Sequence, residues 1–165
     1  MSATVQSDPI EAVAHLIEGV PIAVLTSCDE HGSMHSRPVA TQNLLFDGEL
    51  WFFNTRGSRL VANLQVHPQV NLGYAHGGRH TYVSITGRAA VIDDLQQVRM
   101  LWRLIYPTRF PHGAEDPDLA LVRITITHAN SWEPSGHSLI HPDGLIPEWM
   151  PVDDALGIDE DRLTI

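Results

Sequence analysis

The sequence contains no lysine, so its ten basic side chains other than histidine are all arginine. This excludes Schiff-base chemistry with pyridoxal phosphate and a P-loop phosphate site, both of which require a primary amine. Cys28 is the single cysteine. Neither an intrachain disulfide nor a cysteine-rich zinc site can form, and Cys28, ending an apolar run, reads as a small core residue. No stretch approaches the roughly 20 consecutive apolar residues that span a bilayer. Asp8 and Glu11 stand where a signal peptide would need an apolar run, so a cytoplasmic protein with no membrane partner is expected. Positive charge is also scarce: 20 acids face 10 arginines, a formal net charge of -10. A nucleic-acid partner would need a broad basic face, which this balance excludes.

The little positive charge there is has a particular place. Between residues 35 and 92 stand Arg37, Arg56, Arg59, Arg79 and Arg88 against only Asp47 and Glu49. From residue 143 onward Asp143, Glu148, Asp153, Asp154, Asp159, Glu160 and Asp161 face only Arg162. An acidic protein with a locally basic middle permits a focused anion pocket. The ten histidines give no His-x3-His on a helical pattern. His137 and His141 come nearest, in a Pro/Gly-rich segment, so no metal site is expected.

At 165 residues and 43% hydrophobic content the chain is long enough for one domain with a real core. Asp8-Pro9-Ile10-Glu11 opens a short amphipathic helix with Ile10, Val13, Leu16 and Ile17 on one face, stopped by Gly19. Strands are predicted over Pro21 to Cys28 and Ser33 to Gln42, turning at Asp29 to Gly32, and then from Leu50 to Thr55. Ser58 caps a brief helix that ends at His67-Pro68. Val70 to Ala75 and Thr81 to Ile92 flank a Gly77-Gly78 turn, and Asp94 opens a helix carrying Leu95, Val98, Leu101, Trp102 and Ile105. A last strand runs from Leu119 to about Ala129. Six short antiparallel strands with a few flanking helices predict a mainly β (α+β) fold closed into a Greek-key barrel, which leaves no exposed sheet edge. The barrel domain is assigned to residues 1–133. Residues 134–165 form an acidic tail, expected to be irregular because of Pro134, Gly136, Pro142, Gly144, Pro147 and Pro151. Its apolar Leu145, Ile146, Trp149 and Met150 predict that it straps across the barrel or a dimer mate.

The densest chemical signal lies between His35 and Leu60. Ser36-Arg37-Pro38-Val39 is followed by Trp51-Phe52-Phe53-Asn54-Thr55-Arg56-Gly57-Ser58-Arg59, setting three guanidiniums and the hydroxyls of Ser36 and Ser58 beside an aromatic strand. A guanidinium fork pairs bidentately with phosphate, Ser58 and the N–H groups opening the next helix add donors, and aromatic neighbours suit a flat ring. Together they predict a ring-bearing phosphate ligand such as FMN. Alone on a strand, Arg37 would read as solvated or ion-paired; beside Ser58 and Arg59 it reads as a phosphate ligand. Trp51, Phe52 and Phe53 must point to alternate faces, so at least one is core. Phe53 is the ring-lining candidate, and Trp51 or Phe52 a packing residue. His35 reads as a strand-surface residue able to hydrogen-bond a ligand.

The series Thr26-x5-Gly32-x3-Ser36-Arg37-Pro38, Leu50-Trp51-Phe52-Phe53, Gly57-Ser58, Pro68-x-Val70-Asn71, Tyr82-Val83-Ser84-x-x-Gly87-x-Ala89, and Trp102 ahead of Phe110-Pro111-x-Gly113-x-x-Asp116-Pro117-Asp118-Leu119 resembles the FMN-binding split barrels related to pyridoxamine 5′-phosphate oxidase. Within that group it is most similar to the general stress protein 26 branch. The resemblance covers roughly residues 10 to 133. It implies a homodimer of six-stranded split barrels with FMN in clefts at the subunit interface. Arg37 would grip the phosphate, Pro38 and Val39 would run along the isoalloxazine, Phe53 and Asn54 would line it, and Ser58 with Arg59 would complete the phosphate cradle. Gln42, Asn54 and backbone N–H groups near Val39 are the candidate donors to the ring. The family usually has a lysine after the Ser58-Arg59 pair, where this chain has Leu60; Arg56 or Arg59 could compensate. The C-terminus keeps Arg162-Leu163 but lacks the closing proline of the oxidases' Arg-Leu-x-Pro motif, which argues against vitamin B6 oxidation.

The expected function follows from flavin chemistry, in which the protein holds the ring, donates to its pyrimidine edge and excludes water. No catalytic acid or base is required, so none is assigned. The leading expectation is an FMN-dependent oxidoreductase using NAD(P)H or a small organic molecule. A non-catalytic flavin carrier or sensor in stress physiology would share every binding residue. A related barrel binding haem or the deazaflavin F420 is the third class. Trp102 and Tyr106 are expected in core or dimer contacts or approaching the flavin, Asp116-Pro117-Asp118 in a turn near the active-site mouth, and Trp149 as a possible cover for the pocket.

Overall fold

Helix α1 (Pro9–Ile17) starts on its N1 proline and buries Val13 and Ile17, and Gly19, at φ +79°, ends it. The computed structural model describes residues 9–42, 47–102, 109–134, 136–141 and 144–146, so the expected cap Asp8 lies outside them. Strands β1 (Ile22–Cys28) and β2 (Met34–Gln42) form a hairpin. The Asp29 carboxylate closes its turn by accepting the N–H groups of His31 and Ser33, each at 2.9 Å. Next come β3 (Glu49–Thr55), α2 (Arg59–Val66), β4 (Gln69–His76) and β5 (Thr81–Ile92). Asp94 then caps α3 (Leu95–Leu101) by accepting the N–H groups of Gln96 and Gln97. The helix was expected to include Trp102 and Ile105. Trp102 instead stands at its C-cap in extended conformation, and Ile105 lies outside the described residues.

Strand β6 (Leu119–Glu133) organises the rest. All neighbouring strands are antiparallel in the order β3-β2-β1-β4-β5-β6, and β3 also pairs with β6, closing the six-stranded barrel that the sequence predicts. The far end of β6 runs past Ala129 because residues 130–132 pair with β5 on one side and β7 (Gly136–His141) on the other. β7 in turn carries β8 (Gly144–Ile146). The expected irregularity of the tail therefore does not begin at 134. Pro134, Gly136 and Gly144 flank or start short strands, where a turn residue breaks no ladder. Trp149 and Met150 lie outside the described residues.

The barrel interior is filled by Leu25, Leu50, Phe52, Leu72, Ile85, Val122 and Ile124, all fully buried. Burial of side chains this size contributes about 1.5–3 kcal/mol each. Val13 and Ile17 of α1 and Leu60 and Leu64 of α2 belong to the same cluster. A second cluster forms where Trp51 meets Val98, Leu101, Phe110, Leu119 and Leu121, with Phe53 and Trp102 packed against it. Alternation along β3 thus sends Phe52 into the barrel and Trp51 to the second cluster. Gly87 sits where the β5–β6 register shifts; a Cβ there would lie 2.6 Å from the Thr125 carbonyl oxygen and 2.7 Å from Ile124 Cγ2. Only glycine lets the strands approach this closely.

Candidate functional site

The barrel is closed unevenly. β1 and β2 pair from Ile22↔Ala40 to Cys28↔Met34, and β3 and β6 from Glu49↔Thr125 to Thr55↔Leu119. Among the described residues β2 and β3 share only Thr41↔Phe52 and Gln42↔Trp51. Continued, that register would set Ala40 opposite Phe53, Val39 opposite Asn54 and Pro38 opposite Thr55, but the strands diverge before those rungs form. The result is a split bounded by Met34 to Ala40 on one lip and Phe53 to Thr55 on the other.

The backbone groups facing this split follow from ladder alternation. Thr41 N–H donates to the Pro21 carbonyl at 3.1 Å and Asp29 N–H to the Ser33 carbonyl at 2.9 Å, so odd-numbered residues of β2 bond toward β1. Even-numbered Ser36, Pro38 and Ala40 therefore face the split. Pro38 sits where its missing N–H costs no ladder bond. Val39 is buried at 5% exposure with its N–H turned to β1, so the ring donor expected near Val39 falls to the Ala40 N–H.

The side chains sort in the same way. Arg37 lies directly opposite the fully buried Leu25, on the face it shares with Val39, and is half-buried. Ser58 is the N-cap of α2: its Oγ accepts the Val61 N–H at 3.2 Å, leaving its own O–H proton to donate. Exposed Arg59 is the first residue of α2. Both β2 and α2 are anchored in the barrel cluster, through Val39 and through Leu60 and Leu64. Asn54 Oδ1 accepts the Thr55 N–H at 2.7 Å, which turns its Nδ2 donors outward from the chain. Gln42 is buried in the rung with Trp51, one rung further from the split than Thr41↔Phe52, and it is not free of partners. Phe53 is held edge-on by Trp102, with ring centroids 5.6 Å apart, and Trp102 in turn by Phe110 at 6.2 Å. Trp102 thus reaches the lip of the split through Phe53. Tyr106 lies outside the described residues.

Two expectations change. Arg56 is not part of a phosphate cradle: its guanidinium pairs with Asp93 at 2.9 Å and donates to the Leu119 carbonyl at 3.1 Å. Its N–H donates to the Asp118 carbonyl, continuing the β3–β6 direction and carrying the side chain away from β2. Leu60 is 2% exposed in the barrel core, so its position faces inward rather than simply lacking a charge. Arg99 and Arg123 are also ion-paired, with Glu115 and Glu49. Among the described residues Arg37, Arg59, Arg88 and Arg109 have no hydrogen-bond or ion-pair partner, and of these only Arg37 and Arg59 fall within the stretches Ser36 to Val39 and Trp51 to Arg59. Arg37 stands on the strand that forms one lip of the split, and Arg59 opens the helix four residues beyond Thr55 on the other lip.

His35, on the face of β2 shared with Arg37, places Nε2 3.0 Å from Asp29 Oδ2. That contact first, and then the Ser33 N–H, hold the Asp29 carboxyl down to about 2. Opposite His35 stands Ser27, 1% exposed, whose Oγ has no partner among the described residues. Asp116 does form the expected turn, accepting the N–H groups of His112 and Asp118 at 3.1 and 2.9 Å; these bonds depress its carboxyl. Among the described residues no group of three or more His, Cys, Asp or Glu side chains is arranged to hold a metal ion. No described helix is long and apolar enough to cross a membrane. Two recesses, about 320 Å³ beside His15, Arg79 and Glu133 and about 160 Å³ beside Arg56, Asp93 and Glu115, do not reach the split. Among the described residues the split stands as an open groove between β2 and β3.

The Asp29–His35 pair and the Phe53–Trp102 contact escape a linear reading. Both join residues whose proximity depends on strand register and on where a helix ends.

Comparison with known proteins agrees with this fold. The family model described as "Pyridoxamine 5'-phosphate oxidase like" matches residues 8–142. The crystal structure of a Clostridium acetobutylicum protein related to general stress protein 26 of B. subtilis superposes with a TM-score of 0.71 at 17% identity, covering 81% of this chain and 94% of that one. General stress protein 26 from Bacillus anthracis gives 0.64 at 19%, covering 86% and 97%. A protein of Xanthomonas citri described as a general stress FMN/FAD binding protein gives 0.64 at 27%, covering 75% and 87%. No curated protein matches the chain.

Proposed function

Because the chain belongs to the pyridoxamine 5′-phosphate oxidase-like family, we propose that it is a cytoplasmic flavoprotein that binds FMN in the β2–β3 split and acts as an FMN-dependent oxidoreductase on NAD(P)H or another small organic molecule. The observation that carries the reading is the pair of unpartnered guanidiniums, Arg37 on the β2 lip of that split and Arg59 at the start of α2, four residues after the β3 lip ends. The description of the Xanthomonas citri relative as FMN/FAD binding supports a flavin as the ring-bearing phosphate.

In this reading Arg37 and Arg59 neutralise the phosphate and the Ser58 hydroxyl donates to it. Pro38 presents backbone without a competing N–H, Val39 fixes the strand in the core, and the Ala40 N–H, Gln42 and Asn54 Nδ2 address the ring's polar edge. Phe53, braced by Trp102, supplies an apolar wall. When bound, the flavin would supply hydride-transfer chemistry, and the task of these residues would be to orient the ring, donate hydrogen bonds to its polar edge and exclude water.

A further wall for the groove is assigned to a second copy of the chain. On the outer face of β1 and β2, Ile22, Val24 and Met34 are 50%, 51% and 75% exposed, with Pro38 beside them. An apolar row beside the split suits a homodimer that buries it and closes the groove.

Binding of FMN to the purified protein and to Arg37→Ala tests the reading. Removal of a charge-assisted contact should weaken binding by about 1.5–3 kcal/mol. An unchanged dissociation constant would overturn the assignment. Anaerobic mixing with NADH or NADPH then tests catalysis: flavin that stays oxidised with both, and with small organic reductants, would leave a carrier.

A further inference from the structure

We infer that His35, presented by Asp29, is a third side-chain ligand of the flavin phosphate beside Arg37 and Arg59. The inference rests on the proposed reading of the split as a flavin site.

Other sources of a third cation on the cradle's elements are closed. The chain has no lysine, Leu60 is buried in the barrel core, and Arg56 is committed to Asp93 and the Leu119 carbonyl. His35 and Arg37 are alternate residues of β2 and stand side by side on one face, about 7 Å apart by strand rise. The ring is already oriented. Asp29 Oδ1 is occupied by the turn's N–H groups, which leaves Oδ2 to take His35 Nε2. A carboxylate only accepts, so Nε2 carries a proton and Nδ1 is the working nitrogen. With a second proton on Nδ1 the imidazolium donates to a phosphate oxygen while Asp29 balances its charge.

The charged surroundings are simple. Asp29 approaches from the turn and Arg37 from the same strand, while Glu30 and His31 pair with each other at 3.5 Å at the turn's tip. Across the rung β1 contributes only the uncharged Ser27. The His35 side chain is 44% exposed, so solvent screens part of the interaction. Its effect should fall between an exposed ion pair and a buried charged hydrogen bond, about three- to tenfold in affinity.

The test compares FMN with riboflavin, which lacks the phosphate, by equilibrium titration of flavin fluorescence against the full chain. His35→Gln should weaken FMN about three- to tenfold and leave riboflavin unchanged, while His35→Arg should restore the preference for FMN. Equal losses for both flavins, or no loss for FMN, would overturn the inference. Arg37→Ala separates the two levels. If it abolishes the preference for FMN while His35→Gln does not, only the role of His35 falls; if neither variant changes the preference, the split is not the phosphate site. Matching thermal melts of His35→Gln and the wild type show that the fold is intact.

Discussion

Leu60→Lys places an ammonium directly after the Ser58-Arg59 pair, and the structure predicts that it harms the protein. Leu60 is the second residue of α2, 2% exposed, and packed in the cluster that contains Leu25, Leu72 and Ile85. Loss of its buried apolar surface costs about 1.5–3 kcal/mol. The ammonium must then be left partly desolvated or be drawn out past Val61 and Leu64, both buried, so a total of about 3–5 kcal/mol is expected, as for other severe core substitutions. Small domains have about 5–15 kcal/mol in all. If the lysine reached the phosphate instead, it would add about 1.5–3 kcal/mol to FMN binding, at least a tenfold gain. Urea unfolding of the flavin-free protein, paired with FMN titration, separates the outcomes. The expected result is a large loss of stability with no tighter binding. Stability within about 1 kcal/mol of wild type together with a tenfold gain in FMN affinity would show that position 60 faces the cradle, and the placement of α2 would be wrong.

Other perturbations probe the same frame. Arg56→Ala should leave FMN affinity unchanged in the titration that detects Arg37→Ala, and should cost less than about 1 kcal/mol in urea unfolding because its pair with Asp93 is exposed. Gly87→Ala should destabilise the barrel by about 1–3 kcal/mol in the same assay, since its Cβ would meet the Thr125 carbonyl oxygen at 2.6 Å and backbone cannot yield as a side-chain tip can. Tyr74 donates to Thr41 Oγ1 at 3.1 Å inside the barrel, and burial pushes its phenol up to about 12 from 10. Between those values the unfolded chain loses this proton while the folded one keeps it, so stability falls as pH rises from about 10 to 12, by up to about 3 kcal/mol. Tyr74→Phe should lose about 0.5–1.5 kcal/mol at pH 7 yet decline less over that alkaline range; parallel decline of both proteins would refute the assignment.

The barrel was legible because its elements announce themselves locally. Ser58 and Asp94 cap helices where sequence placed the caps, and the alternation of Val122, Ile124 and Ile126 against Arg123, Thr125 and Thr127 marks β6. Prolines and glycines after 133 were a weaker guide. They forbid long strands but permit the short β7 and β8, and pairing with a strand already in place supplies the stability their composition lacks. The length of α3 was misread for the opposite reason: apolar spacing at Trp102 fits a helix equally well, but Trp102 turns extended and packs on Phe53 and Phe110.

At the candidate site the residue types were readable and their directions were not. Arg37, Arg56 and Arg59 are chemically equivalent in a linear string, and only the fold separates them. Arg56 follows β3 along β6 to Asp93, whereas Arg37 stands on β2 where it leaves β3 and Arg59 opens the helix after β3. Pro38 could have signalled that divergence from the outset. A proline inside a nine-residue strand cannot donate to a ladder, so one side of β2 had to be open near residue 38. Had β2 stayed paired to β3 past Thr41, the backbone of Ser36, Pro38 and Ala40 would have been consumed by the sheet. A split at this point is what turns a conventional barrel wall into a groove with a polar backbone edge, two unpaired cations and an aromatic lip.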